Sequence, residues 1–171
     1  MMNNEGTKIK LLVCYHKPYE LLHDEILMPI HVGRALARKR MNTESPEYRW
    51  LLEKMAGDDT GDNISDKNDS YNELTSLYWA WKNYNELGNP DYIGMMHYRR
   101  HFIFHEGSID VVPFDGMGRH YLEEINYSPE NLQKLIKGCD FIAHIGKVNN
   151  VYNHYLENHR REDLDAAFEI L

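Results

Sequence analysis

The chain has 171 residues, enough for one domain with its own core, since a chain of this length typically buries about 68–70% of its unfolded surface. A hydrophobic share of 42% and a charged share of 27%, with 12 Tyr and 3 Trp, exclude a chain disordered by composition. With 27 Asp plus Glu against 19 Lys plus Arg, the net charge of −8 opposes attraction to a phosphate backbone and argues against nucleic acid as a partner.

The opening MMNNEGTKIKLLVCYHKPYE holds too short an apolar run for a secretory leader and lacks a small-residue cleavage site. No stretch approaches the ~20 apolar residues of a membrane span, so membrane contact is expected to be peripheral. Lys8 to Tyr15 is a continuous apolar run that suits a strand buried on both faces. Cys14 and Cys139 form no CxxC pair, which predicts two buried thiols in a reducing compartment. Ser45-Pro46 opens a helix carrying Trp50, Leu51 and Met55 and stopping at Gly57. Ser70-Tyr71-Asn72-Glu73 reads as a capping box, followed by Leu74, Leu77, Tyr78 and Trp81 at helical spacing and a stop at Gly88-Asn89-Pro90.

Asp91 to Met96 is a second buried strand, which Phe102 to Phe104 extends or restarts. Ser128-Pro129 starts a helix with Leu132, Leu135 and Ile136 on one face and Gly138 past its end. Phe141-Ile142-Ala143 is a third short strand, and the closing EDLDAAFEIL begins a further helix. Strands alternating with amphipathic helices predict an α/β layer fold with a largely parallel sheet. Ligands of such sheets gather beyond the carboxyl ends of the strands, which brings HKPYE after the first strand and HYRRH after the second to one rim. No linker or repeat interrupts the chain, so one domain over 1–171 is expected.

Within HYRRH, the planar forks of Arg99 and Arg100 match phosphate or carboxylate oxygens. In extended chain the two point to opposite faces, so one is expected on the ligand and the other in an ion pair or at a helix end. His97, His101 and His105 stand four apart, a metal-trio spacing on a helix, but their β-prone neighbours and the missing glutamate of an HExxH motif argue against it. The acidic stretch 57–73 fails the calcium-loop test, because Asn63 or Lys67 falls where glycine is required. A solvated acidic loop and an anion site at a helix start both stay open for it. In YHKPYE, Tyr15 could stack on a base or sugar while His16 and Lys17 meet a phosphate. Tyr78, Trp79 and Trp81 read as core rather than a sugar platform. No GxSxG, GxGxxG or GxxxxGK[ST] motif is present, and Cys14 in an apolar strand is expected to be inert.

KIKLLVCYHKPYE, PIHVG at 29 to 33, GDDTGDNISDKNDSYNELTSLYWAWKN and DYIGMMHYRRHF, with the later VYNHYLENHRREDLD, together resemble a bacterial glycosyltransferase-like family of capsular and exopolysaccharide biosynthesis, catalogued as a domain of unknown function. The resemblance runs over most of the chain. It implies a Rossmann-like nucleotide-diphospho-sugar transferase fold of the GT-A type, a mostly parallel sheet flanked by helices. It also implies transfer of a sugar, with galactose as the expected one, from a nucleotide-sugar donor to a glycan or lipid-linked glycan acceptor at the cytoplasmic face of the membrane. Tyr15, His16 and Lys17 with Asp62, Asn63 and Lys67 would surround the nucleotide and ribose, and His97, Arg99 and Arg100 would face the diphosphate as the catalytic group.

Two departures from that family pattern matter. Where many GT-A enzymes carry a metal-binding Asp-x-Asp, this chain has His97-Tyr98-Arg99, so a cationic segment would neutralise the leaving diphosphate directly. No cofactor is fixed by the sequence, and the carboxylates at 58 to 69 leave Mn2+ or Mg2+ open. The family also continues beyond this length, so the domain is expected to be incomplete at its C-terminal end. No general base is identifiable, because Glu73 is assigned to the capping box. The alternative is a non-catalytic nucleotide-sugar or glycan binding module on the same scaffold, and a plain hydrolase is a third option.

Overall fold

A computed structural model of the chain describes residues 6–104, 119–142 and 150–170. The apolar run KIKLLVCY forms β1 (Ile9–Tyr15), as expected, and lies inside a four-stranded sheet of order β3-β2-β1-β4. β2 (Leu27–His31), β3 (Ala56–Gly57) and β4 (Tyr92–His97) complete it, and every pairing is parallel. The register pairs Tyr15 with His31 on one side and Cys14 with His97 on the other, so the carboxyl ends of β1, β2 and β4 reach the same rim.

Alternation along β1 explains why it reads as uniformly apolar. Leu11, Val13 and Tyr15 point into one core and Leu12 and Cys14 into a second, on the opposite face. Helices cover both faces. The first core is closed by Leu51 and Met55, in and just after α2 (Pro46–Lys54), and by Leu132 and Ile136 at α6 (Pro129–Leu135). The second is closed by Trp79 and Ala80 of α4 (Leu74–Lys82) and by Leu87. Shorter helices α1 (Arg34–Arg40), α3 (Asn68–Tyr71) and α5 (Arg119–Glu124) fill the connections.

The Ser-Pro signals are real N-caps. Ser45 Oγ accepts from Tyr48 N at 3.1 Å and Ser128 Oγ from Asn131 N at 3.0 Å. Gly138, φ +79°, follows α6 as a left-handed stop.

The described residues fall into two compact units, Met1–Phe141 and Ile142–Leu171. The second holds α7 (Val151–Asn158), capped by Asn150 Oδ1 accepting from Asn153 N at 2.9 Å, and α8 (Arg161–Ile170), the helix expected from EDLDAAFEIL.

Four expectations need correction. Ser70 lies inside α3 and does not cap α4; Asn72, at φ +47°, breaks the chain between the two helices, and Glu73 makes no side-chain cap. The apolar stripe of α4 faces outward: Thr75, Ser76, Trp79 and Ala80 are buried, whereas Leu74 and Trp81 are 53% and 66% exposed. Small residues on the inner face let the helix approach the sheet closely, and the aromatic core assignment holds for Trp79, not Trp81. Phe102 to Phe104 add no strand, because the chain turns back at Arg100. Phe141 and Ile142 are exposed coil rather than strand, and Ala143 lies outside the described residues.

Candidate active site at the strand ends

The connection from β3 to β4 passes to the other side of β1, so the order of strands reverses between β1 and β4. In open parallel sheets ligands bind at such a point, beyond the carboxyl ends of the strands. His16 follows β1 there and His97 ends β4, with ring centroids 5.7 Å apart. The two segments expected to share a rim therefore meet.

The chain leaves β4 in a tight turn. His97 and Arg100 exchange backbone bonds of 3.1 and 3.0 Å, and Tyr98 N donates to Cys14 O at 3.1 Å, which pins the turn to β1. Tyr98 is buried and serves as the pillar beneath the rim. Its ring stacks on Tyr15 at 5.3 Å, packs against Tyr19 and His16 at the same separation, and lies 4.3 Å from His97. Because residues 98–100 form a turn, the alternation of extended chain does not apply, and Arg99 and Arg100 are both exposed. Among the described residues no carboxylate pairs with either. Arg99 keeps its guanidinium 5.2 Å from the Tyr98 ring centroid, a cation–π arrangement. Lys17, from the loop after β1, is also exposed.

His97 is held from two sides. Its Nδ1 accepts from Arg99 N at 3.1 Å, which puts the ring proton on Nε2, and Nε2 lies 3.7 Å from the Glu73 carboxylate. Burial, opposed by Glu73 and reinforced by Arg99, His16 and Arg100, lowers its pKa to about 4. The imidazole is neutral at pH 7. His16 is lowered too, by burial first and then by Arg99 and Lys17. His101 falls to about 4 through burial and His97; His105 lies outside the described residues.

Other expected site residues do different work. Tyr15 is fully buried, its hydroxyl donating to Glu20 O at 2.9 Å and accepting from Leu22 N at 3.0 Å, so it shapes the His16–Glu20 loop and offers no face to a ligand. Asn63 spends its amide inside its own loop, on Thr60 O, Gly61 O and Ser65 N. Asp62 is held against the far half of α4 by Tyr78 Oη at 3.3 Å and Lys82 Nζ at 3.7 Å, roughly 13 Å along the helix from Glu73 at its start. Lys67 is exposed on the 3-10 turn Ser65–Lys67. The side chains of Tyr15, Asn63 and Asp62 are thus held by the fold itself.

The acidic loop turns out to be scaffold. Asp58 is fully buried and accepts from Gly33 N, Arg34 N, Ser65 Oγ and Thr75 Oγ1 at 2.8, 3.1, 2.5 and 2.6 Å. It thereby fastens the starts of α1 and α4 to the end of β3. The PIHVG segment supplies the partner turn: Gly33 adopts φ +67°, and a Cβ there would sit 2.6 Å from the Asn68 side chain. Arg34 lies buried behind it, Nη2 donating to the carbonyls of Leu51, Met55 and Ala56 and Nε to His31 Nδ1 at 3.3 Å. Asp59 pairs with Arg38 and Asp69 with Arg40. With Asp58, Asp59, Asp62 and Asp69 engaged by N–H, hydroxyl or cationic partners, and no trio of His, Cys, Asp or Glu grouped among the described residues, these residues do not fit a divalent cation. Cys14 is inert as expected: burial pushes its thiol to about 12 and Sγ rests 3.3 Å from Ser76 Oγ.

The family model described as a domain of unknown function, DUF4422, matches residues 10–171. Among solved structures, the apo form of the WbbM bifunctional glycosyltransferase is similar at 37% identity and a TM-score of 0.61, over 77% of this chain and 22% of that one. The chain thus spans about a fifth of the length of that relative. No curated protein matches. The parallel sheet with helices on both faces, shared with a glycosyltransferase, agrees with the Rossmann-like fold of GT-A type expected from the sequence.

Proposed function

The chain belongs to the DUF4422 family, and from that premise we propose that it is a glycosyltransferase domain that binds a nucleotide-sugar at the β1/β4 crevice. One observation carries the reading: His16 and His97 meet at the point where strand order reverses, with Lys17, Arg99 and Arg100 exposed around them. Cationic side chains in that position suit a diphosphate, and charge that develops on a leaving diphosphate is what such groups stabilise most. Arg99 and Arg100 take the leaving group, and His16, Lys17 and His97 line the crevice beside it. The likeness to a bifunctional glycosyltransferase supports this role. Sugar transfer in capsular or exopolysaccharide synthesis, with galactose as the sugar and a glycan or lipid-linked glycan as acceptor at the cytoplasmic membrane face, is the setting the sequence resemblance favours. Among the described residues no helix is long and apolar enough to cross a membrane.

Calorimetric titration with UDP- and GDP-sugars, with and without Mn2+, tests the reading. UDP-galactose binding that survives EDTA and falls about tenfold or more in Arg99→Ala and Arg100→Ala is expected; each charge-assisted contact is worth about 1.5–3 kcal/mol. Failure of every nucleotide-sugar to bind would sink it. Donor binding without transfer to any acceptor would favour the binding-module alternative.

A further inference from the structure

Glu73 has been released from the role the sequence suggested for it. It stands at the start of α4 with its side chain 39% exposed and makes no cap, while the neighbouring Ser76 hydroxyl, not its carboxylate, serves the turn, donating to Glu73 O at 2.7 Å. The start of α4 is fixed by the Asp58–Thr75 bond, so the carboxylate is presented from a rigid element.

The two nitrogens of His97 report on which side of the crevice each charge lies. Nδ1 faces the backbone of Arg99, in the cationic turn, and Nε2 faces Glu73. The cationic turn, through its backbone, and the carboxylate therefore approach one imidazole at different nitrogens. The groups that face this pair are His16 from the loop after β1, Arg99 and Arg100 from the turn after β4, His101 just beyond it, and Cys14 from β1, whose buried thiol stays protonated. His97 is neutral and turns an N–H toward the carboxylate, so it can orient Glu73 without neutralising it. A displacement at a sugar carbon needs this separation, with the leaving oxygen on the positive side and a proton acceptor on the other.

We propose that Glu73 is the general base of the transfer, oriented by His97. This rests on the glycosyltransferase reading above. In the step, the acceptor hydroxyl gives its proton to the Glu73 carboxylate as its oxygen bonds to the anomeric carbon. The bond from that carbon to the diphosphate oxygen breaks, and its electron pair leaves with the diphosphate beside Arg99 and Arg100. The carboxylate works on the face opposite the leaving group, so the product has inverted anomeric configuration.

The test uses the full 171-residue chain, UDP-galactose as donor, and an alkyl galactoside or water as acceptor. UDP release, product configuration by proton NMR and donor affinity by calorimetry are measured for wild type, Glu73→Gln and Glu73→Asp. Expected are a 100-fold or larger loss of kcat in Glu73→Gln, donor Kd within twofold of wild type, partial activity in Glu73→Asp, and an inverted product. Full activity in Glu73→Gln overturns the inference, as does retention of configuration, or a loss of donor affinity that accounts for the loss of rate. Donor binding with no UDP release in wild type also overturns it, while leaving nucleotide-sugar binding intact. Absence of donor binding in wild type instead overturns the function proposed above.

Discussion

The carboxylate of Asp58, fully buried at the end of β3, accepts a 2.6 Å hydrogen bond from the hydroxyl of Thr75 in the first turn of α4, 17 residues further along the chain. Ser65 and the backbone of Gly33 and Arg34 use its remaining lone pairs. Asp58→Asn puts an amide where all four partners donate, so at least one faces another donor. The expected loss is about 3 kcal/mol or more, read as a lower urea midpoint, because breaking charge-assisted buried bonds costs about 1.5–3 kcal/mol apiece.

Trp79 and Trp81, two positions apart, should behave oppositely. Trp79 is buried and its indole N–H donates to Thr60 Oγ1 at 2.8 Å, so Trp79→Ala should cost about 3–5 kcal/mol in urea unfolding. Trp81 stands in solvent, edge-on to Tyr78, with Lys82 Nζ 4.0 Å from its ring centroid. Trp81→Ala should stay within about 0.5–1 kcal/mol, the range of an exposed cation–π contact.

Tyr98 carries a buried hydroxyl with no hydrogen-bond partner among the described residues. Its ring does the packing. Tyr98→Phe keeps the stack on Tyr15 and removes the orphan, so it should stabilise the fold by about 1 kcal/mol, the low end of the cost of an unsatisfied buried group. A lower midpoint in chemical denaturation would refute this.

Stability should fall with acid in a defined window. Burial, helped by Arg34, lowers the His31 pKa from 6.5 to about 4, with Asp59 opposing and His16 adding slightly. Below pH 6.5 the unfolded chain binds a proton that the folded chain refuses until about pH 4. Stability therefore declines as pH drops through that interval, by about 1.4 kcal/mol per pH unit for one histidine. His97 and His101 add to it in the same direction. His31→Asn, whose amide oxygen can still accept from Arg34 Nε, should flatten the slope between pH 5 and 6 by about one proton's share.

What could be read from the sequence follows what burial and capping write into it. β1 and β4 are apolar runs, and α2 and α6 begin with Ser-Pro, so these elements were plain, as was the meeting of the segments that follow β1 and β4 at one rim. β2 was not, because LMPIH carries a proline and a histidine, the latter buried with its Nδ1 accepting from Arg34 Nε three residues on. β3 is two residues long and has no pattern to show. The false capping box had the right letters; the positive φ of Asn72 goes with a local bond instead, Asn68 Nδ2, four residues earlier, donating to its carbonyl at 2.6 Å. That one misreading also hid Glu73. The inverted face of α4 has a similar origin, since Thr75 and Ser76 look solvent-facing until Asp58 and Cys14 are placed against them.

The pairing of β1 with β4, in the register Cys14 to His97, has a consequence for how the chain acquires its chemistry. Parallel strands cannot be joined by a hairpin, and contacts between distant residues form only after a large loop has closed. β1 can pair with β2, and β2 with β3, early, burying Tyr15 and Val13 against α2. His16 then waits at a bare edge for β4 to arrive. A fragment ending before Tyr92 can keep that first half of the sheet and still lack the crevice, so the step that completes the rim is also the last long-range step in building the sheet.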